Sequence, residues 1–170
     1  MDDNGSICKV TLDGTNFRIY EPSPFDQIWH SEKFNGPALR HEIGMCIQTG
    51  WIVWVNGPYP AGLPDRNIAR EWINHELEEG ECCLADGGYC DGHQHTVTPT
   101  GPRNHDEHMK TVARARHEAV NGWFKRFGIL KQQFHHRKEL HHLVFGAVAN
   151  ITQLSIMLGH SPFDVEHFDD

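Results

Sequence analysis

The sequence predicts an α/β fold built on a mixed central sheet: three sequential strands, a crossover helix and a further parallel strand, flanked by helices. Three observations carry this expectation. Strand-like patterns fill the first 55 residues. One helix-spaced segment separates them from a fourth, short apolar run, and two longer helix-spaced stretches follow.

Taken in order, Ile7 to Leu12 reads as a strand that ends at Asp13, with Gly14 supplying a bend and the segment Phe17 to Tyr20 resuming it. A loop carrying Pro22, Pro24 and Gly36 follows. Leu39, Ile43, Met45 and Ile47 then alternate with Arg40, Glu42, Gly44, Cys46 and Gln48, the period of a half-buried strand, with His41 the one polar residue on the apolar side. Thr49-Gly50 makes a turn into the continuous apolar run Trp51 to Val55, as expected of a strand covered on both faces. Asn56 to Pro64 holds three prolines and two glycines and is expected to be loop. Asp65 is placed to cap a helix carrying Ile68, Trp72, Ile73 and Leu77 and stopping at Gly80. Cys82 to Ala85 is a short buried strand ending at Asp86.

Residues 87–108 are rich in Gly, Pro, Thr and His without periodicity, which marks either a working loop or a partly mobile segment. From Met109 to Phe127 the apolar positions Val112, Ala119, Val120, Trp123, Phe124 and Phe127 fall at helical spacing, and Gly128 ends the run. Leu140, Leu143, Val144, Ala147, Val148, Ile151 and Leu154 give the cleanest helical stripe in the chain. The acidic tail, 159–170, is expected to be loose.

At 170 residues the chain suits one domain, 1–170, and an apolar share of 38% with 10% aromatics is too high for a disordered chain. No basic and apolar leader opens the sequence, and the greasy segment Leu143 to Leu158 is interrupted by Asn150, Thr152, Gln153 and Ser155, so a soluble, intracellular protein that engages no membrane is expected. Five cysteines, with Cys82 and Cys83 adjacent in one strand, suit reduced thiols better than a disulfide framework. The formal charge of −8 opposes unaided phosphate binding and calls for bound metal ions, a basic patch or a missing DNA-binding module.

Carboxylates stand at informative places. Parallel pairing of the first and fourth strands sets Asp13 and Asp86 side by side, and Glu118 faces them from the later helix. Three carboxylates converging within about 4 Å repel by roughly 4 kcal/mol per pair at an effective dielectric near 20, so they need cations to stay ionised. Hard oxygen ligands select Mg²⁺ or Mn²⁺, and two such ions activate the attacking oxygen and stabilise the leaving one in phosphoryl displacement. Arg114, Glu118, Asn121 and Lys125 share one polar helix stripe. The everyday reading of that stripe is a solvated face with an Arg114–Glu118 ion pair, and Asp13-Gly14 and Asp86-Gly87 are by themselves ordinary turn residues.

The wording around these acids resembles a known family. The segments Asp13-Gly14-Thr15 with Phe17-Arg18-Ile19, Trp29-His30-Ser31-Glu32-Lys33-Phe34, Gly50 to Val55 with Gly57-Pro58-Tyr59-Pro60-Ala61-Gly62 and Asp65, Gly80-Glu81 leading to Ala85-Asp86-Gly87-Gly88-Tyr89, Thr98-Pro99, and Ala115-Arg116-His117-Glu118 with Asn121, Lys125, Phe127 and Leu130 resemble Harbinger-type DDE transposases. The resemblance implies an RNase-H-like fold, catalytic metal ligands Asp13, Asp86 and Glu118, two divalent ions (Mg²⁺ or Mn²⁺), and metal-dependent cutting and joining of DNA at transposon ends and target. It also implies a separate Myb-like DNA-binding partner, self-association, and a nuclear location in a eukaryote or a cytoplasmic one otherwise. The helix-turn-helix region usual in full-length members is absent from this sequence. Arg114, Asn121, Lys125, Lys33 and Trp29 are the candidate DNA contacts, Trp29 by stacking on a base.

Two other readings stand beside this one. A domesticated, transposase-derived DNA- or protein-binding module would keep the fold without turnover. A zinc protein would use Cys90, His93 and His95, with His105 and His108 shortly after, although their spacing matches no established zinc pattern.

Overall fold

In the computed structural model, which describes residues 7–24, 26–90, 96–97 and 105–163, the first strand pattern is one continuous strand, β1 (Ile7–Arg18). Gly14 does not bend it. An unbroken antiparallel ladder from Val10↔Cys46 to Arg18↔Ala38 holds β1 against β3 (Gly36–Cys46), with Gly14 opposite Glu42, so Asp13 lies in mid-strand rather than at a strand end. A two-residue strand, β2 (His30–Ser31), pairs with the start of β3.

The expected exposures of the next two strands are reversed. β3 has β1 on one edge and β4 (Ile52–Pro60) on the other, and Leu39, His41, Glu42, Ile43, Gly44 and Met45 are all buried. Its period-two alternation therefore separates two covered faces, not core from water. β4 is an outer strand whose Val53 and Val55 are exposed beside exposed Trp51, and it runs through the proline-rich segment to Pro60. An outer strand tolerates residues that lack an N–H, which is why Pro58 and Pro60 do not end it.

After α1 (Asp65–Glu71), backbone torsions at Trp72 leave the helical region, so the expected single helix is two, with α2 (Ile73–Glu76) following. β5 (Glu81–Leu84) then pairs parallel to β1, and β6 (Thr96–Val97) pairs parallel to β5 inside the segment expected to be loop. The sheet order is β4-β3-β1-β5-β6, with β3 antiparallel to β1.

Helices cover both faces. Ala69 and Ile73 pack on Leu12, Cys83, Ala85 and Tyr89. On the other face α3 (His105–Phe124), α4 (Gly128–Lys131) and α5 (His141–Met157) close over Phe17, Ile43 and Met45 with Val120, Phe124, Leu130, Phe145, Val148, Ala149 and Ile156. Gly128 begins a short helix instead of ending one.

α5 buries a different face from its most regular stripe. His141, Phe145, Val148, Ala149, Thr152 and Ile156 are buried, whereas Leu140, Leu143, Ala147, Ile151 and Leu154 are exposed. Lys138–Met157 is long and apolar enough to cross a membrane by length and composition, yet one face of it is part of the core just described.

The expectation of reduced thiols is corrected for one pair. Parallel pairing sets Cys8 opposite Cys82 with Cα atoms 4.6 Å apart, and the two are joined in a disulfide across 74 residues. Adjacency of Cys82 and Cys83 was no obstacle, because consecutive strand residues point to opposite faces and only Cys82 meets Cys8. Cys46, Cys83 and Cys90 are free thiols.

Candidate active site

β1 and β5 are in parallel register from Ile7↔Glu81 to Thr11↔Leu84, where β5 ends. Asp13 is two residues further along β1 and Asp86 two residues past the end of β5, close enough for the charge of Asp86 to act on Asp13. Asp86 is fixed by the turn it opens: its Oδ1 accepts a hydrogen bond from the Gly88 N–H at 2.8 Å and caps the single 3₁₀ turn Gly87–Tyr89.

Asp13 lies against α3. Its Oδ2 accepts from Asn121 Nδ2 at 3.2 Å, and one helical turn earlier His117 Nε2 is 2.8 Å from Thr11 Oγ1. Residues two apart on the strand and four apart on the helix share a face in each case, so the two contacts fix how α3 crosses β1. Burial first, and then the negative charge of Asp86, push the Asp13 carboxyl up to about 6, with Asp65 adding to the rise and the Gly14 N–H and Lys33 opposing it. Lys125, one turn beyond Asn121, is held below the usual lysine range by burial and by the charge of Lys33, with Asp13 acting the other way.

Sequence reasoning missed a third acid in this layer. Asp65 was expected to cap a helix, but Pro64 takes the cap position and the Asp65 carboxylate turns inward to Arg40, with Oδ1 2.8 Å from Nη1. Two glycines make the room. A Cβ on Gly14 would lie 2.8 Å from Asp65 Oδ1, and one on Gly88 would lie 3.3 Å from Asp65 Oδ2 and 3.0 Å from Asp86 Oδ1. Burial raises the Asp65 carboxyl, Arg40 lowers it and Asp86 raises it. Arg40 is itself anchored, donating from Nε to Asn16 Oδ1 and from Nη1 to the Leu63 carbonyl, both at 2.9 Å. In the sequence, Asp-Gly pairs and an aspartate after proline read as turn chemistry, which conceals this contact.

The structure thus brings together Asp13, Asp86, Asn121, Lys33 and Lys125, and adds Asp65 and Arg40. Glu118 is on α3 one turn before Asn121 but is exposed, and among the described residues no three His, Cys, Asp or Glu side chains converge on one point. Arg114 is four residues before Glu118 on α3, and its side chain lies outside the described residues, as do His93 and His95. Cys90 is exposed with a free thiol. Trp29 is no open platform: its ring packs against the satellite cluster of Ile19, Leu39 and Phe134 and carries Lys138 Nζ at 4.2 Å from its centroid. A polar cavity of about 720 Å³ is bounded by Gly14, Asn16, His30, Lys33 and Arg40, the last of which pairs with Asp65.

The donors suit a hard divalent cation. Asp13 and Asp86 offer carboxylate oxygens, and Asn121 Oδ1 is buried without a hydrogen-bond partner among the described residues although its Nδ2 is tied to Asp13. Burial and the charges of Asp86 and Asp65 raise the Asp13 carboxyl against the opposing charge of Lys33, a repulsion that a bound cation would relieve.

No curated protein and no solved structure matches the chain. A family model described as DDE superfamily endonuclease matches residues 12–154, from the residue before Asp13 through Asp86 and Glu118 and most of α5. With the match spanning well over half of its length, the chain belongs to the DDE superfamily endonucleases.

Proposed function

We propose that this chain cuts and joins DNA phosphodiester bonds with two Mg²⁺ or Mn²⁺ ions held by Asp13, Asp86 and Glu118, in the manner of Harbinger-type transposases. The observation that carries the reading is the parallel β1–β5 register that brings Asp13 near Asp86 just past the end of β5. The order β4-β3-β1-β5-β6, with β3 antiparallel, supports an RNase-H-like assignment.

Bound cations supply Lewis-acid activation of the attacking and leaving oxygens. The chain supplies placement. Asn121 orients Asp13 through Oδ2, the Gly88 N–H holds Asp86 through Oδ1, and Glu118, exposed on α3 one turn before Asn121, would complete the ligand set. Lys33 and Lys125 flank Asp13 and neutralise a DNA phosphate, and Arg114 extends the same helix stripe. A separate Myb-like partner would contribute the positive charge that a chain at −8 lacks.

Nicking of supercoiled plasmid in Mg²⁺ or Mn²⁺ tests the reading. Asp86→Asn and Asp13→Asn are expected to lower the nicking rate at least ~100-fold, beyond the cost of losing a second-shell partner at a metal site. Nicking by Asp86→Asn at the rate of the unmodified chain would sink the assignment.

A further inference from the structure

α5 is apolar on two opposite faces, and among the described residues only one of them has a partner. The buried face closes the core; the other carries Leu140, Leu143, Ala147, Asn150, Ile151, Leu154, Met157 and Leu158, all exposed. At 100° per residue these eight positions fall within a stripe about 120° wide that runs the whole helix. No Asp, Glu, Lys or Arg occurs between His141 and Met157.

The six large side chains are 44% to 66% exposed. With Ala147 and Asn150 they present on the order of 700 Å² of contiguous, mostly apolar surface, above the usual largest patch of a monomer and near the roughly 800 Å² per partner of a stable interface. Leaving it in water costs free energy that burial would recover.

We propose that this face is the seam of a two-fold homodimer in which α5 packs antiparallel against α5 of a second copy. Two-fold symmetry puts the same patch on both sides, so a self-complementary patch must match itself when reversed. This one does. Reversal about a point between Val148 and Ala149 sets Leu143 opposite Leu154 of the second copy, Leu140 opposite Met157 and Leu158, and Ala147 opposite Asn150 and Ile151. Large residues meet at both ends while small Ala147 sits at the crossing, where helix axes come closest. A charged face would repel its own copy across the axis, and this face carries no charged side chain. Asn150 supplies a polar group near the centre, a placement that favours one register over sliding alternatives. A bilayer is the weaker occupant, since a chain at −8 is repelled by anionic lipid and the other face of the helix is committed to the sheet.

Sedimentation or light scattering across micromolar concentrations reads the outcome. The chain is expected to be dimeric. Leu143→Asp and Leu154→Lys are each expected to raise the dimer dissociation constant at least ~100-fold, because each buries a charge against leucine. Their far-UV circular dichroism should be unchanged, as both positions are exposed in the monomer. Combined in one chain, Leu143→Asp and Leu154→Lys face each other twice across the axis and are expected to restore the dimer. A monomeric chain at its highest soluble concentration overturns the proposal, as does a dimer indifferent to Leu143→Asp or a double variant that stays monomeric. A monomer that binds phosphatidylcholine vesicles through this face also overturns it and assigns the face to lipid. None of these readouts depends on nuclease activity, so the dimer and the metal site stand or fall separately.

Discussion

Glu42 is 1% exposed in the middle of β3, with Oε2 accepting from Trp54 Nε1 at 2.8 Å. Burial pushes its carboxyl up to about 7, against the effect of Trp54, from an ordinary value of 4.5. Between those two values the folded chain keeps a proton that the unfolded chain releases, so stability falls as pH rises through this window, by about 3 kcal/mol at most. Glu42→Gln keeps the shape and removes the ionisation. It is expected to gain ~1–3 kcal/mol over the unmodified chain near pH 8 and nothing near pH 4, read from urea unfolding at the two conditions. Equal effects at both would disprove the account. Residues of this kind divide by how much their partners lie along the chain. The nearness of Asp13 and Asp86 was legible because an apolar strand pattern precedes each and the parallel register joins those patterns. Asp65 was not, since its place depends on two missing Cβ atoms, at Gly14 and Gly88, contributed by distant segments.

Whole elements were easier to find than to orient. β1, β3, β5, α3 and α5 all follow from periodicity, but periodicity names a face without naming what covers it. β3 alternates between two covered faces, and β4 is an uninterrupted apolar run at an edge. In α5 the regular leucine and isoleucine stripe faces outward, while the buried face mixes His141, Phe145, Ala149 and Thr152. That mixed face is held by an imidazole pair: His41 Nε2 and His141 Nδ1 are 2.9 Å apart, the rings stack, and Phe17 and Phe145 lie against them. Burial pushes His141 and His117 down to about 4 and His41 well below its ordinary 6.5. All three are neutral in the fold, whereas the unfolded chain takes up protons below about pH 6.5. Their contribution is therefore complete above pH 6.5 and is lost as pH falls toward 4, by up to ~3 kcal/mol for each of His141 and His117. Protonation of Glu42 works in the opposite direction over part of the same range. In the Glu42→Gln background the urea midpoint is accordingly expected to fall more steeply between about pH 6.5 and 4.5, and His141→Gln to flatten that fall. A midpoint that does not move in that background would contradict the buried neutral pair.

Across the whole molecule, the Cys8–Cys82 bridge ties β1 to β5, the two strands that bring Asp13 and Asp86 near each other. A link across 74 residues restricts the unfolded chain, and breaking it with a dithiol reductant or Cys8→Ser is expected to cost ~2–4 kcal/mol in urea unfolding. An unchanged midpoint would show that the strands hold without it. No cysteine spacing announced this pair, because its geometry exists only once the parallel strands are in register. The order in which the layers close has a further consequence. The face formed by Phe17, Ile43 and Met45 belongs to the first strands to be synthesised, but much of its cover, Phe145, Val148, Ala149 and Ile156, comes from α5, the last helix of the described fold. As the chain leaves the ribosome, the sheet therefore waits with one oily side only partly covered until α5 emerges, and for that interval it depends on chaperones or on speed to avoid sticking to its neighbours.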